Sequence, residues 1–276
     1  MKIRDCVLFS NEIDLLRKRF EYYKNHVDEF VIVESNKNFY GEERDLVFPT
    51  IQDEFKDLNI QYIVCENFQN FDKGEVYPWG EGPWKNETQM REYLSRFVAD
   101  CDNDDLFIIS DCDEFYNRDL IYDHGKPVTF QMSNNYFYVD YVQHYNGSIH
   151  LIPGPQMFTK QNYFDFKGTE WDGHESHLNS VQGMRNGALS GFKKLIKENA
   201  WHFSYFGGPD VIKRKLNSFA HTEFYHLKDK TEEYFNDKIN NFQDIFDRNV
   251  EYKIINNLTD DLKQIFSDEK YYFKEL

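Results

Sequence analysis

A chain of 276 residues with 40% hydrophobic side chains is long enough to bury a sizeable core, and α/β folds of this length often remain one unit. Its 48 acidic residues against 32 basic ones leave a net charge of −16, which argues against a nucleic-acid backbone or an anionic membrane as the main partner. A nucleotide stays compatible with that charge, because a bound divalent cation can offset a diphosphate locally. Residues 4–9 read as a short apolar strand. The segment 12–24 then sets Ile13, Leu16, Phe20 and Tyr23 at helical spacing, with Asn11 able to cap the first turn. Apolar, β-branched runs at 29–33 and 60–64 predict two more strands, and 86–99 a second helix with Met90, Tyr93, Leu94 and Phe97 on one face. Residues 105–110 are a continuous apolar run, the pattern of a strand buried on both faces of a parallel sheet. This alternation predicts a doubly wound, mainly parallel α/β sheet.

The second half changes character. Residues 128–142 are aromatic and strand-like, and 143–199 hold most of the Gly, Pro, His and Asn, as loops with short strands would. From Pro209 the chain reads as helical, including a charged helix over 231–247. Without a repeat or linker, 1–276 is expected to be one domain, divided into an N-terminal half (1–125) and an irregular half with C-terminal helices (126–276). Cys6, Cys65, Cys101 and Cys112 show neither CxxC pairing nor metal-ligand spacing and are expected as reduced thiols. The opening residues meet charges too soon for a signal peptide and no apolar run reaches spanning length, so the expectation is a cytoplasmic protein without a membrane span. Triplets at Asn86, Asn146 and Asn257 fit the N-glycosylation pattern, which is frequent by chance.

The chemistry centres on Ser110-Asp111-Cys112-Asp113-Glu114, directly after the apolar run. Three clustered carboxylates at the carboxyl end of a strand repel one another unless something cationic is bound. A hard divalent cation such as Mg²⁺ or Mn²⁺ would remove that cost, with Asp111 and Asp113 as ligands or Asp111 turned to a ribose. Two aspartates that cap a turn, beside a solvated Glu114, fit the same residues. In Trp201–Pro209, an aromatic strand closes on a Gly-Gly-Pro turn that starts a helix. His202 within it is either a core side chain or a third metal ligand. Ser218–Glu223 follows, read as the end of that helix.

Five ordered segments, DCVLFSNEIDLLRKRF, VDEFVIVESNKNFYGE, DDLFIISDCDEFYNRD, AWHFSYFGG and KLNSFAHTEF, spread over about residues 5–250. Together they resemble the glycosyltransferase family of β-1,4-mannosyl-glycoprotein β-1,4-N-acetylglucosaminyltransferase and its microbial relatives. The resemblance implies a GT-A-like α/β fold, a UDP-sugar donor with UDP-GlcNAc foremost, a divalent metal, a glycan acceptor and inversion at the anomeric carbon. The family's DxDE falls on Asp111, Asp113 and Glu114, and its WHFSY-GG block on 201–208. Residues 143–199 have no clear counterpart, so the acceptor's identity does not carry over; nor do the animal enzymes' membrane anchor and lumenal setting.

On that basis 1–125 is expected to hold the nucleotide sugar and 126–276 the acceptor. Ser10, Asn11 and Glu12 after the first strand, and Glu34, Asn36 and Tyr40 after the second, are expected to line the nucleotide, with Arg44 and Lys215 near its phosphates. The acceptor hydroxyl needs a general base, for which Glu170, Asp172, Glu175 and Glu223 are candidates. Rival classes are a nucleotidyltransferase, against which FSNEIDLL lacks a Gly-rich basic loop, a phosphohydrolase with an Asp nucleophile, and a non-catalytic glycan-binding protein.

Overall fold

Strand β1 (Ile3–Phe9) occupies the middle of the predicted parallel unit. Helix α1 (Ile13–Tyr23) leads to β2 (Glu29–Ser35), the single turn α2 (Phe48–Ile51) to β3 (Ile60–Cys65), and α3 (Pro83–Ala99) to β4 (Leu106–Asp111). The order is β4-β1-β2-β3, all parallel, with Leu8 beside Asp111 and Phe9 beside Glu34. The chain thus steps outward from β1 through β2 and β3, then returns to the other side of β1 as β4. The computed structural model describes residues 1–165 and 194–273.

Alternate residues of these strands face opposite layers, as the two-residue repeat of a strand requires. Val7, Phe9, Phe30, Ile32 and Ile108 pack with Leu16, Phe20 and Tyr23 of α1. Cys6, Leu8, Val31, Val33 and Ile109 pack with Met90, Leu94 and Val98 of α3. Both faces are covered, which is why these strands read as unbroken apolar runs. Asn11 does not cap α1. Glu12 holds the N-cap position without a side-chain cap bond, and its carboxylate accepts the Ser10 and Asn11 amides at 3.1 and 2.9 Å.

After β4 come β5 (Glu114–Tyr116), β6 (Val128–Tyr136), β7 (Tyr141–Tyr145), β8 (Ser148–Ile149), β9 (Leu151–Thr159), α4 (Lys160–Asp165) and β10 (Lys194–Ser204). Helices α5 (Pro209–Ser218) and α6 (Glu232–Asn240), strand β11 (Glu251–Ile254) and helix α7 (Asp260–Ile265) complete the chain. Here the sheet turns antiparallel: β9 lies against β4, β6 against β9, then β7 and β11. Strand β10, however, runs parallel to β6, so that among the described residues four strand pairings are parallel and six antiparallel, and the sheet is mixed.

A separate aromatic core, with Tyr136, Tyr141, Tyr205, Leu216, Phe235 and Tyr252, joins α5 and α6 to the ends of β6 and β7. The helix expected over 231–247 stops at Asn240, and Phe242 follows in the left-handed region at φ 56°. Asn86 is buried and its amide donates to Phe39 O and Gln69 O, which places that triplet inside the fold. Among the described residues no helix is long and apolar enough to cross a membrane. All four cysteines are free thiols, and Cys6, Cys65 and Cys112 are buried.

Candidate functional site

The order β3-β2-β1-β4 puts a topological switch point between β1 and β4, and ligands of open α/β sheets bind in the crevice beyond such strand ends. The loop Ser10-Asn11-Glu12 leaves β1 there, and Asp111-Cys112-Asp113 leaves β4. The two loops are tied by the Cys112 amide, which donates to Leu8 O at 3.1 Å. Underneath, Arg19 of α1 is fully buried and makes two 2.6 Å bonds to Asp5 of β1. It also donates to Ser110 Oγ and Glu114 O, both at 2.7 Å. The Tyr116 hydroxyl adds a third donor to Asp5 at 3.0 Å. Burial opposes a charged guanidinium, and Asp5 outweighs it, so Arg19 stays protonated. Glu114 is buried rather than solvated: its carboxylate accepts the Asp111 amide at 3.1 Å and closes the acidic turn on itself.

Asp113 is buried, and its Oδ2 accepts a 2.7 Å bond from Lys215 Nζ of α5. Burial disfavours its charge, but Lys215 and then His202 outweigh burial and hold the carboxyl well below the usual carboxylate range. Lys215 answers in kind. Burial lowers its proton affinity, Asp113 more than restores it, and the ammonium titrates above its ordinary value. The same ammonium donates to Ser204 Oγ at 2.5 Å and lies 5.0 Å from the centre of the Tyr205 ring. The Gly207-Gly208-Pro209 turn delivers this lysine. Gly208, at φ 82°, is the N-cap residue and Pro209 begins α5.

His202 Nε2 lies 3.4 Å from the same Asp113 oxygen. Its Nδ1 is 3.1 Å from Asn134 Oδ1, and the Asn134 amide donates to Gln143 Oε1 at 2.9 Å. Gln143 Nε2 donates to the Tyr252 hydroxyl at 3.2 Å, which donates to Asp244 at 2.8 Å. Because Asp244 can only accept, every amide in this chain has a defined direction, and His202 Nδ1 is the donor to Asn134 Oδ1. The other expected ligand, Asp111, turns elsewhere. It accepts Arg91 Nη2 of α3 at 2.6 Å, and Arg91 Nη1 is held by Glu87 at 2.6 Å.

The expected metal centre of Asp111, Asp113 and His202 is therefore only partly assembled. Asp113 and His202 meet, Asp111 does not join them, and Lys215 and Arg91 already neutralise the two aspartates. Among the described residues no group of three His, Cys, Asp or Glu is arranged to hold a metal ion, so the residues present do not fit one.

The expected nucleotide-contacting residues separate into two kinds. Ser10, Asn11 and Glu12 do lie at the crevice. Glu34 does not present a free carboxylate. It is fully buried and accepts from Arg44, from the Val47 and Phe48 amides and from the Tyr62 hydroxyl, at 2.7 to 3.0 Å. It works through Arg44, which also donates to Ser10 Oγ at 2.7 Å and to Ser10 O, and so fixes the loop after β1. Asn36 Oδ1 and the Tyr40 hydroxyl are buried without a hydrogen-bond partner, and burial, with Tyr225 and Glu223 nearby, pushes Tyr40 up to about 12. Glu223 lies in a 3-10 segment, Thr222–Asp229, beside His221 Nδ1 at 2.8 Å; burial raises its carboxyl, and His221 more than reverses this. Glu170, Asp172 and Glu175 lie outside the described residues. Arg91, Arg19, Asp5 and Asn134 escaped the sequence reading. Only Arg91 left a trace there, as the Glu87–Arg91 pair at helical spacing.

Sequence comparison finds β-1,4-mannosyl-glycoprotein 4-β-N-acetylglucosaminyltransferases of mouse, at 26% identity, and of rat and human, each at 27%, over 182 residues. Those alignments cover 60% of this chain and 32% of each relative, so the chain spans about a third of the length of the curated relatives it matches. Among solved structures, mannose-6-phosphate isomerase from Helicobacter pylori aligns at 15% identity with a TM-score of 0.36, covering 60% of this chain and 73% of that one. The family model for glycosyltransferase family 17 matches residues 1–148, more than half of the chain and all of the parallel unit with its acidic turn, and the chain belongs to that family.

Proposed function

We propose that this chain transfers a sugar, N-acetylglucosamine from UDP-GlcNAc, to a hydroxyl of a glycan acceptor, with inversion at the anomeric carbon and on a GT-A-like scaffold. The observation that carries this reading is the gathering of Glu12, Asp113 and Lys215 at the switch point between β1 and β4, where a nucleotide sugar would lie. Family membership and the GlcNAc-transferring relatives point the same way. A nucleotidyltransferase is disfavoured, since the loop after β1 is tied down by Glu12 and Arg44 and offers no run of free amides to a triphosphate.

In this reading Lys215 is the chain's own charge carrier. Two of its three protons go to Asp113 and Ser204, its side chain is 26% exposed, and the third proton is placed to meet the charge that grows on the departing diphosphate. A cation fixed in advance costs no reorganisation during the reaction, which is what makes such stabilisation effective. Asp113 holds the ammonium, and the chain from His202 to Asp244 holds the imidazole beside it. The incoming hydroxyl approaches from the opposite side of the sugar and gives its proton to a carboxylate there. Glu223, already paired with His221, leaves that role to Glu170, Asp172 and Glu175, which lie outside the described residues.

The test is release of the nucleotide from a panel of UDP-, GDP- and CMP-sugars. UDP-GlcNAc is expected to be cleaved fastest, and Lys215→Met to lower the rate by roughly a hundredfold, the scale of losing one preorganised donor. Equal rates for all three nucleotides, or an unimpaired Lys215→Met, would overturn the assignment.

A further inference from the structure

An aromatic shelf stands at the same edge of the sheet as the acidic turn. Trp79 is 51% exposed, and its ring lies 6.3 Å from that of Trp84, the second residue of α3. Trp84 meets the His221 ring edge-on at 4.6 Å, and Phe219 and Phe224 flank His221 at 5.4 and 6.0 Å. The loop bearing Trp79 is fastened to this group by the Tyr77 amide, which donates to Thr222 Oγ1 at 2.8 Å. Gly82 permits the tight approach: at φ 56°, a Cβ there would come within 2.3 Å of the Tyr77 ring.

An exposed tryptophan set beside a half-buried one within a built network calls for an explanation that isolated surface residues do not. The chemistry here is of two kinds side by side: indole faces, and a half-exposed His221–Glu223 pair bonded at 2.8 Å. A pyranose ring has matching halves, a face of C–H groups and a rim of hydroxyls. The position fits as well. Trp84, Glu87 and Arg91 are spaced i, i+3, i+7, along one face of α3, and Arg91 holds Asp111. Seven residues of helix span about 10.5 Å, the reach of about two linked sugars.

We infer that Trp79, Trp84, His221 and Glu223 form a subsite for a pyranose unit of the acceptor glycan, about two sugars from the reacting hydroxyl. The inference rests on the glycosyl-transfer reading and adds to it the place of the acceptor. Indole faces take the C–H face of the ring, and Glu223 with His221 take its hydroxyls.

The experiment is a titration of the full chain with methyl mannoside, mannobiose and chitobiose, followed by tryptophan fluorescence, alongside a thermal-shift measurement with UDP. At least one disaccharide is expected to change the fluorescence saturably and to bind more tightly than the monosaccharide. Trp79→Ala and Trp84→Ala are each expected to weaken it roughly tenfold, and Trp84→Phe less. Trp79 is half-exposed, so its variant is expected to keep the wild-type melting midpoint. Saturable binding unchanged in Trp79→Ala and Trp84→Ala, or no response to any of the three sugars, would overturn the subsite. A wild-type protein that UDP protects but no sugar perturbs would lose the subsite and keep the transferase reading. A sugar response without UDP protection would do the reverse.

Discussion

Asp113 and Lys215 set the electrostatics of the crevice, and their titration has a definite sign. The Asp113 carboxyl is held below its ordinary range, so its contribution to stability is complete above a pH of about 4 and fades as pH falls below that. The Lys215 ammonium is held above its ordinary value, so its contribution is complete below a pH of about 10 and fades above. Between those limits the pair is constant. Asp113→Asn, which leaves a partly buried ammonium uncompensated, is expected to cost about 3 kcal/mol in denaturant titrations at pH 5 and pH 8 alike, and less below pH 4. A cost that disappears at pH 6 would mean that the carboxyl is not ion-paired as described. In Asp113→Asn/Lys215→Met the losses are expected to fall short of the sum, because each single change strands the other partner. The carboxylates were legible in the sequence, since an acidic cluster after an apolar run is a local pattern. Their ion pairs were not: Lys215, expected only near the phosphates, is 102 residues from Asp113 and Arg91 is 20 from Asp111, and no local spacing records either pairing. Glu34 illustrates the opposite error. Its place after the apolar run 29–33 suggested a ligand, whereas all its acceptor capacity is consumed by Arg44, Tyr62 and two amides.

Elements with both faces buried were the most legible, because burial imposes the apolar run that announces a strand. Strand β9 was not recognised, and its sequence LIPGPQMFT explains why: two prolines and a glycine argue against a central strand. They are tolerated because β9 pairs with β4 only over Gln156–Thr159, and its register with β6 shifts between Thr129 and Gln131, alongside the proline segment. A different tie binds α1 to β1, β4 and β5, namely the fully buried Arg19 with Asp5, Ser110 and Glu114. Asp5→Ala strands a buried guanidinium and is expected to cost about 3–5 kcal/mol, whereas Asp5→Leu/Arg19→Met is expected to recover much of that loss. Equal stability of Asp5→Ala and the wild type by chemical denaturation would show that the pair contributes nothing. The start of α3 offers a narrower test. Gly82→Ala places a methyl group against the Tyr77 ring at a left-handed backbone position and is expected to cost about 1–3 kcal/mol. The same change should shift the tryptophan emission, since Trp79 and Trp84 sit on either side of that residue.

At the scale of the whole molecule, the alternation of strands and helices over the first 111 residues was legible, and the antiparallel half was not. Helical connections between parallel strands leave periodic patterns in the sequence, while β6, β7 and β9 pair through contacts that have no fixed spacing. The aromatic richness of 128–142 belongs to two strands and the turn between them, and it builds the separate core around Tyr141. Net charge also acts at this scale. A protein of −16 repels an anionic nucleotide at long range, yet the crevice gathers Lys215, Arg44 and Arg91. Long-range repulsion is screened as the Debye length falls from about 30 Å at 0.01 M salt to about 8 Å at 0.15 M, while contacts within the crevice are screened less. UDP is therefore expected to protect the protein against heat at least as well in 0.15 M salt as in 0.01 M. Saturation at about 100 times the dissociation constant supplies roughly 2.7 kcal/mol, which for a domain of this size raises the melting midpoint by about 5 °C. GDP and CMP are expected to give smaller shifts. Glu34→Ala is expected to reduce the UDP shift without removing it, since it loosens Arg44 and the Ser10 loop while Lys215 stays in place. Equal shifts with UDP and GDP would show that the base is not read at the carboxyl ends of β1 and β2. A UDP shift that fell steeply with salt would place the nucleotide on the open surface instead of in the crevice.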